Sequence, residues 1–564
     1  MTTPEELEQL KAEAAQALRA AEEAQRELEE ATREVVEPAV VEVAADAAAP
    51  VQRVEAAAAP AGAAAALSPF AQSIAAGYAF EGVALEIGAL VENDAPVPGA
   101  QVRIPFGMLN RHGLIAGATG TGKTKTLQVL AEQVSAGGVP VFAADIKGDL
   151  SGLAVPGTTN EKLAARCVSI GQEWTPSAAP TEFYRLGDRG TGVPIRATVA
   201  SFGPVLLSKV LGLNPTQESS LSLVFHYAET KNVTLSTLED LRRVLVYLDG
   251  EGRPELKEIG GISAATLGVI LRELTAFAAE GADSFFGQPE IAVTDFLRTS
   301  PDGRGIVSML EVPGVQDQPA VFSTFLMYVL QQLFKVLPEV GDTDKPVLVF
   351  FFDEAHLLFK DASKEFLSVI TQTVRLIRSK GVGIFFVTQT PKDVPADVLA
   401  QLGSRVQHQL RAHTPEDAKA LKAAVQTYPN TDYDLAEVLT SLGTGEAIVT
   451  VMDEDGAPTP VAWTKVRAPQ GSMNPMPAES MAATVAASPL QAKYGTPIVS
   501  PPIELAPPAA VEAPAPTPKA APAPKPKAKP TRRGRSSAER VIQNATNQAV
   551  RTATRELLNK FFKK

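Results

Sequence analysis

Eight consecutive residues set the chemistry open to this sequence. Positions 117–124 read GATGTGKT, the G-x-x-x-x-G-K-[ST] pattern of a phosphate-cradling loop. Gly117, Gly120 and Gly122 let the backbone turn tightly, so that successive N–H groups face one anion. Ala118, Thr119 and Thr121 complete the loop between them. The KTKTLQVLAEQV run that follows has helical spacing, and its N-terminus adds partial positive charge where phosphates would sit. Lys123 is expected to reach the β- and γ-phosphates of ATP, and the Thr124 hydroxyl to ligate Mg2+. A Gly-rich turn with a stray lysine would not sit between a strand-like HGLIA and a helix-like run.

Hydrolysis needs a carboxylate for water, and VLVFFFDEAH over 347–356 supplies one. Six apolar residues make a strand buried on both faces, with Asp353 emerging at its carboxyl end, where α/β sheets place ligands. Asp353 is expected to hold the Mg2+ through water, and Glu354 to orient and activate the attacking water. Alone, an acidic strand end would be unremarked; beside the loop it is half of a pair. A third strand-like run, GIFFVTQ over 383–389, ends in Gln389, placed to sense the γ-phosphate or the lytic water. Asp145 and Lys147 follow another strand in VFAADIKGDL; contact with nucleotide or with a neighbouring subunit, and a salt bridge within the loop, are both open. Multimeric ATPases of this kind complete the site with an arginine from the next subunit. Arg378 is the first candidate, in TVRLIRSKGVG with Arg375, then Arg405 and Arg411 around a later strand. The five histidines have no metal-ligand spacing; His356, after the acidic pair, is the one near the expected site.

These residues need a sheet to hold them. From about residue 80 to about 470, strand-length apolar runs alternate with amphipathic helical segments, the pattern of a mostly parallel sheet covered by helices. The strand candidates are 113–116, 139–144, 305–311, 347–352, 383–388, 405–410 and 446–451. Residues 203–285 look mainly helical and read as an insertion in the ATPase fold. The fold class is therefore α/β, a RecA-like P-loop core with a helical insertion, flanked by disordered or helical extensions.

Those extensions differ in charge. Residues 1–36 form an acidic helical segment, with Leu7, Leu10, Ala14, Ala17, Ala21, Ala24, Leu28, Ala31 and Val35 on a heptad-like stripe. A solvated single helix and a weak coiled coil both fit. Residues 37–79 read as an Ala/Pro-rich linker and 471–531 as a Pro/Ala/Lys-rich tether. The last stretch, 532–564, is basic and amphipathic; over 519–564 there are 13 Lys and Arg against two Glu. Such a tail suits nucleic-acid phosphates, an anionic membrane surface, or a protein partner. The whole chain of 564 residues has a net charge of −12, which argues against broad nucleic-acid binding but not against a small basic channel. A single cysteine, Cys167, excludes an intramolecular disulfide and a Cys-rich zinc site. With neither a signal-peptide pattern nor an apolar run of about 20 residues, a cytoplasmic location is expected.

Taken as a set, NRHGLIAGATGTGKT, LLSKVLGLNPTQ, VFFFDEAHLLF, VRLIRSKGVGIFFVTQ, QLGSRVQHQLRAHTPED and GTGEAIV resemble the YjgR-type, HerA-like bacterial ATPases of the HerA/FtsK superfamily of ring-forming DNA motors. The resemblance covers about residues 103–470, with a looser match in the basic tail. It implies a RecA-like core with a helical insertion, a homo-oligomer expected to be a hexamer, and ATP hydrolysis between subunits. By similarity, Lys123 and Thr124 are the phosphate-loop residues, Asp353 and Glu354 the metal and catalytic carboxylates, and Gln389 the sensor. Archaeal HerA proteins carry an N-terminal β-barrel and work with a nuclease; the chain before Gly117 reads as too short for a full barrel. The expectation is a Mg2+-dependent, DNA-directed helicase- or translocase-like ATPase. The alternative is a nucleotide-dependent scaffold or regulatory ATPase that assembles on protein or membrane partners. A small-molecule phosphotransferase fits less well, because Glu354 suits water activation.

Overall fold

The computed structural model describes residues 67–187, 190–312, 319–341, 343–359 and 364–499. The heptad-like stripe of 1–36 and the basic tail of 532–564 lie outside them. Twelve strands form one sheet: Ala84–Glu92 (β1), Ala95–Pro105 (β2), Gly113–Ala116 (β3), Val141–Asp145 (β4), Thr181–Leu186 (β5), Val193–Ile195 (β6), Val307–Glu311 (β7), Leu348–Phe352 (β8), Val382–Thr388 (β9), Ser404–Gln407 (β10), Glu446–Thr450 (β11) and Ala462–Val466 (β12). Their order is β2-β1-β12-β11-β10-β3-β9-β8-β4-β7-β5-β6. From β10 to β6 every pair is parallel. From β10 outward through β11, β12, β1 and β2 every pair is antiparallel. The run β10-β3-β9-β8-β4 is a RecA-like core.

Burial explains why these segments are strands. Every residue of β3, β4, β7, β8 and β9 is buried, as a parallel sheet covered on both faces requires. Register then sets the site: Ala116 lies opposite Thr388, Phe386 opposite Phe352, and Phe352 opposite Ala144. The residues that follow β3, β4, β8 and β9 therefore emerge along one edge of the sheet.

Helices pack on this frame. Lys123–Ala136 (α2) runs directly from the loop after β3 and buries Leu127, Leu130 and Val134. Between β6 and β7 the described residues form six α-helices, Val199–Phe202, Pro204–Val210, Pro215–Thr230, Leu238–Asp249, Arg253–Glu258 and Ala264–Ala279. Their starts are coded locally. Asn214 accepts from the Thr216 and Gln217 N–H groups while Gln217 accepts from Asn214, and Thr237 with Asp240 repeats the device. Their buried leucines join one apolar cluster with β4, β8 and β9, so these helices share the main core.

The folded chain is longer at both ends than composition suggests. Helix Pro69–Gly77 (α1) falls inside the stretch read as linker to residue 79. It buries Ala71 and Ile74, and the next residue, Tyr78, donates from its hydroxyl to the Val449 and Pro460 carbonyls. At the other end, ordered contacts continue past 470 to 499 instead of giving way to a tether at 471. Residues 470–476 lie along α2, where Glu132 accepts from the Gln470 and Gly471 N–H groups and Gln128 donates to the Ser472 carbonyl. Helices Ala478–Ala487 and Pro489–Tyr494 follow, with Met481, Leu490 and Tyr494 buried and Arg196 donating to the Tyr494 carbonyl. Alanine- and proline-rich sequence hid both segments, because a few apolar anchors suffice to seat a short strap on an existing core. Cys167 is a buried free thiol.

Candidate nucleotide site

The loop at 117–122 is formed by left-handed glycine backbone between a buried strand and a helix start. Gly117, Gly120 and Gly122 have φ of 156°, 84° and 118°. At Gly117 a side chain would also strike His408, with a Cβ 2.5 Å from its Cβ, and Gly120 faces open space. The loop is anchored from both sides: the Gly117 N–H donates to the Thr388 carbonyl and the Ala118 N–H to that of Gln409. The Thr121 hydroxyl and the Lys123 ammonium, at 3.2 Å, both donate to the Ala118 carbonyl. Lys123 is thus folded back over the loop, and burial pushes its ammonium down. Helix geometry leaves the first N–H groups of α2 without intrahelical acceptors, so the loop end presents donors to an anion.

His408 backs this loop. Its Nδ1 donates to the Glu446 carbonyl at 2.8 Å, which leaves Nε2 to accept from the Thr126 hydroxyl at 2.9 Å. Burial pushes the ring down to about 4, so it is neutral and fixed in one tautomer. Spacing alone gave it no role beyond structure, and the structure assigns it support of the loop and of α2.

The acidic pair stands at the end of β8, as its position in the sequence suggests. Asp353 is buried; its Oδ1 accepts from the Glu354 N–H at 2.9 Å, and its Oδ2 is buried without a partner. Burial, then the neighbouring Glu354 charge, pushes the Asp353 carboxyl up to about 7. A buried carboxylate oxygen left open is costly unless something binds it, and a hydrated divalent cation fits. Asp353 and the half-buried Thr124 hydroxyl are the residues that would hold one. Glu354 is buried with φ of 48°, a left-handed backbone that costs a non-glycine residue about 1 kcal/mol or more. Burial acts to raise its carboxyl, but the Lys147 ammonium, paired with Oε1, outweighs it and holds the group low. Gln389 Nε2 donates to Glu354 Oε2 at a long 3.4 Å, and His356 Nδ1 stands 3.1 Å from that oxygen without hydrogen-bond alignment.

Lys123, Asp353, Glu354 and Gln389 therefore meet at one end of the sheet. Lys147, whose role the sequence left open, joins them through an ion pair that crosses from the loop after β4 to the end of β8. Arg411 reaches the loop as well, its guanidinium donating to the Thr119 carbonyl at 3.4 Å. With Gln389, Lys392 and His413 it lines a cavity of about 240 Å³ beside Thr119. Arg378 is not among them. It follows helix Lys364–Ile377 and precedes β9, at the opposite end of the strands, where its charge acts on the buried His112. Arg405 donates to the Thr427 carbonyl and Arg375 is exposed on its helix.

Residues 91–564 match the family described as Helicase HerA-like C-terminal. The chain belongs to this HerA-like family. It is 25% identical over 359 residues to a probable helicase of Methanocaldococcus jannaschii, covering 61% of this chain and 64% of that one. It is 25% identical over 354 residues to the DNA double-strand break repair helicase HerA of Sulfolobus acidocaldarius, covering 62% and 64%. The HerA-like chain thus spans less than two thirds of the length of these relatives. Among solved structures, a bacterial conjugative coupling protein, TrwB, superposes with a TM-score of 0.47 at 14% identity over 72% of this chain and 94% of its own. VirB4 of Thermoanaerobacter pseudethanolicus gives 0.44 at 16% identity over 69% and 97%.

Proposed function

We propose that this HerA-like chain is the subunit of a ring ATPase, expected to be a hexamer, that hydrolyses ATP with Mg2+ and acts on DNA as a helicase- or translocase-like motor. The observation that carries the reading is the meeting of Lys123, Asp353, Glu354 and Gln389 at the carboxyl ends of β3, β8 and β9. In this mechanism the loop N–H groups and Lys123 bind the β- and γ-phosphates and stabilise charge that builds on the leaving oxygen. Thr124 and Asp353 would hold Mg2+, which when bound offsets phosphate charge. Gln389 orients a water in line with the γ-phosphorus, and Glu354 accepts its proton. The new P–O bond forms as the bond to the β-phosphate oxygen breaks, releasing ADP and phosphate; Glu354 then returns its proton to solvent.

Arg378 cannot serve its own chain's loop from the amino end of β9, so its proposed role is in a neighbour's site. DNA as the substrate rests on the family and on the names of the HerA relatives; contacts through the basic tail and a cytoplasmic location rest on sequence alone. Among the described residues, no helix is long and apolar enough to cross a membrane. The test is steady-state ATP hydrolysis with and without duplex and single-stranded DNA, beside Lys123→Ala and Glu354→Gln. Stimulation of about tenfold or more, lost in both variants, is the expected result. Turnover that needs both residues but ignores DNA would leave an ATPase and remove the motor, pointing to the scaffold alternative.

A further inference from the structure

The mechanism just given leaves Lys147 unused, yet the loop that carries it is built around aiming it. Asp145, buried at the end of β4, accepts from the Lys147 N–H at 3.2 Å and the Gly148 N–H at 2.7 Å with Oδ1, and from the Leu150 N–H at 2.8 Å with Oδ2. Gly148 takes φ of 75° with nothing within 4 Å of where a Cβ would stand. The Asp-Ile-Lys-Gly turn therefore has a fixed base and an open top. From it the Lys147 ammonium reaches across to Glu354 Oε1, a residue 207 positions away. The other carboxylate oxygen faces Gln389 and His356. One oxygen of the group assigned to take a proton from water is thus held by an ammonium and the other faces an amide N–H at 3.4 Å, and a carboxylate so held is a poorer base.

We propose that Lys147 is a positioning residue that latches Glu354 away from water until a bound triphosphate draws the ammonium off. This rests on the reading of Glu354 as the water-activating base. The pair is lopsided in the way a latch requires: the Glu354 side chain is 3% exposed and that of Lys147 39%, so the lysine is the partner free to move. A competing anion would arrive next to it. Lys123, the expected phosphate ligand, follows β3, and Lys147 is paired with Glu354 at the same end of the sheet, so phosphates held on Lys123 are an anion that can compete for Lys147. Exchange of one anion for another returns Glu354 to the water, and departure of phosphate closes the latch again.

The test is Lys147→Ala and Lys147→Arg in the full chain, assayed for ATP hydrolysis with and without DNA, with Glu354→Gln alongside. A latch predicts that Lys147→Ala raises unstimulated kcat by about three- to tenfold. KM should stay within about twofold, the DNA-stimulated rate should change little, and Lys147→Arg should restore the low basal rate. Asp145→Asn, which loosens the base of the turn, should move basal kcat in the same direction by less. A fall in kcat or a large rise in KM for Lys147→Ala would overturn the proposal and make Lys147 a plain phosphate ligand. An unchanged basal rate would overturn it as well. If instead Glu354→Gln keeps hydrolysing, the assignment of the base itself fails, whatever Lys147 does.

Discussion

The two ends of the parallel strands are built differently. At the amino ends, backbone packs on backbone: a Cβ on Gly305 would lie 1.9 Å from the Val139 carbonyl oxygen, and one on Gly383 2.4 Å from that of Leu109. His112 commits both ring nitrogens there, Nδ1 accepting from the Ile384 N–H and Nε2 donating to the Val374 carbonyl. Burial pushes it down to about 4, so it is a neutral strut. Asn110 Oδ1 and Ser404 Oγ, two buried polar atoms without hydrogen-bond partners at this end, belong to neutral groups. At the carboxyl ends the open atoms include carboxylate oxygens, Asp353 Oδ2 and Glu311 Oε1, which are far more expensive to leave alone. Glu354 there holds a left-handed backbone, and Gly120 faces open space. One end is closed for stability; the other keeps charge and room in reserve for a ligand.

Four experiments would break or sharpen this contrast. Glu354→Gln should reduce hydrolysis by roughly a thousandfold with little change in thermal melting, since the amide keeps the shape and sheds a strained buried charge. Gly305→Ala should do the reverse, costing about 3 kcal/mol of stability while the folded fraction, measured by active-site titration, hydrolyses normally. The third concerns pH. Asp353 is pushed up to about 7, so below that pH it is increasingly protonated and cannot hold a hydrated cation. Calorimetric affinity for Mg·ADP should weaken as pH falls below about 7, by up to about tenfold per unit, and Asp353→Asn should flatten that dependence. The smallest effect is at Glu311, beside Asp145 in the register of β4 and β7. Burial, then the Asp145 charge, pushes its carboxyl from near 4.5 up to about 8. The folded chain keeps a proton there that the unfolded chain releases, so the group costs stability increasingly as pH rises from about 4.5 to about 8. Glu311→Gln should therefore raise melting stability at pH 8 by about 1 kcal/mol and leave it nearly unchanged at pH 5.

Much of the candidate site was legible because it lies in contiguous runs. GATGTGKT and FFFDE each carry a strand end and the groups that leave it, and buried parallel strands announce themselves by unbroken apolar residues. What escaped was non-local or locally ambiguous. Strands β1 and β2 contain Pro96, Pro98, Gly88 and Gly99 and shift register twice, so no clean alternation survives in sequence. Gly88 is small because the β12 backbone passes there, a Cβ falling 2.1 Å from the Lys465 carbonyl oxygen, a contact only the fold reveals. The pairing of Lys147 with Glu354 was hidden for the same reason: nothing in DIKGD says that β4 lies beside β8. The His408 contacts with Thr126 and Glu446 likewise join three distant segments.

The antiparallel edge has a consequence for how the molecule is made. Gly88 pairs with Val466, so the hairpin of β1 and β2, complete at Pro105, meets its sheet neighbour only after about 360 further residues have been synthesised. Until then that hairpin waits on the ribosome with one long edge unpaired, and an unpaired edge is where nascent chains stick to one another. The last described strand thus joins the sheet at the first, and the loop at 117–122, whose anchors include Thr388, His408 and Gly445, cannot take its final form before residue 445 has been made.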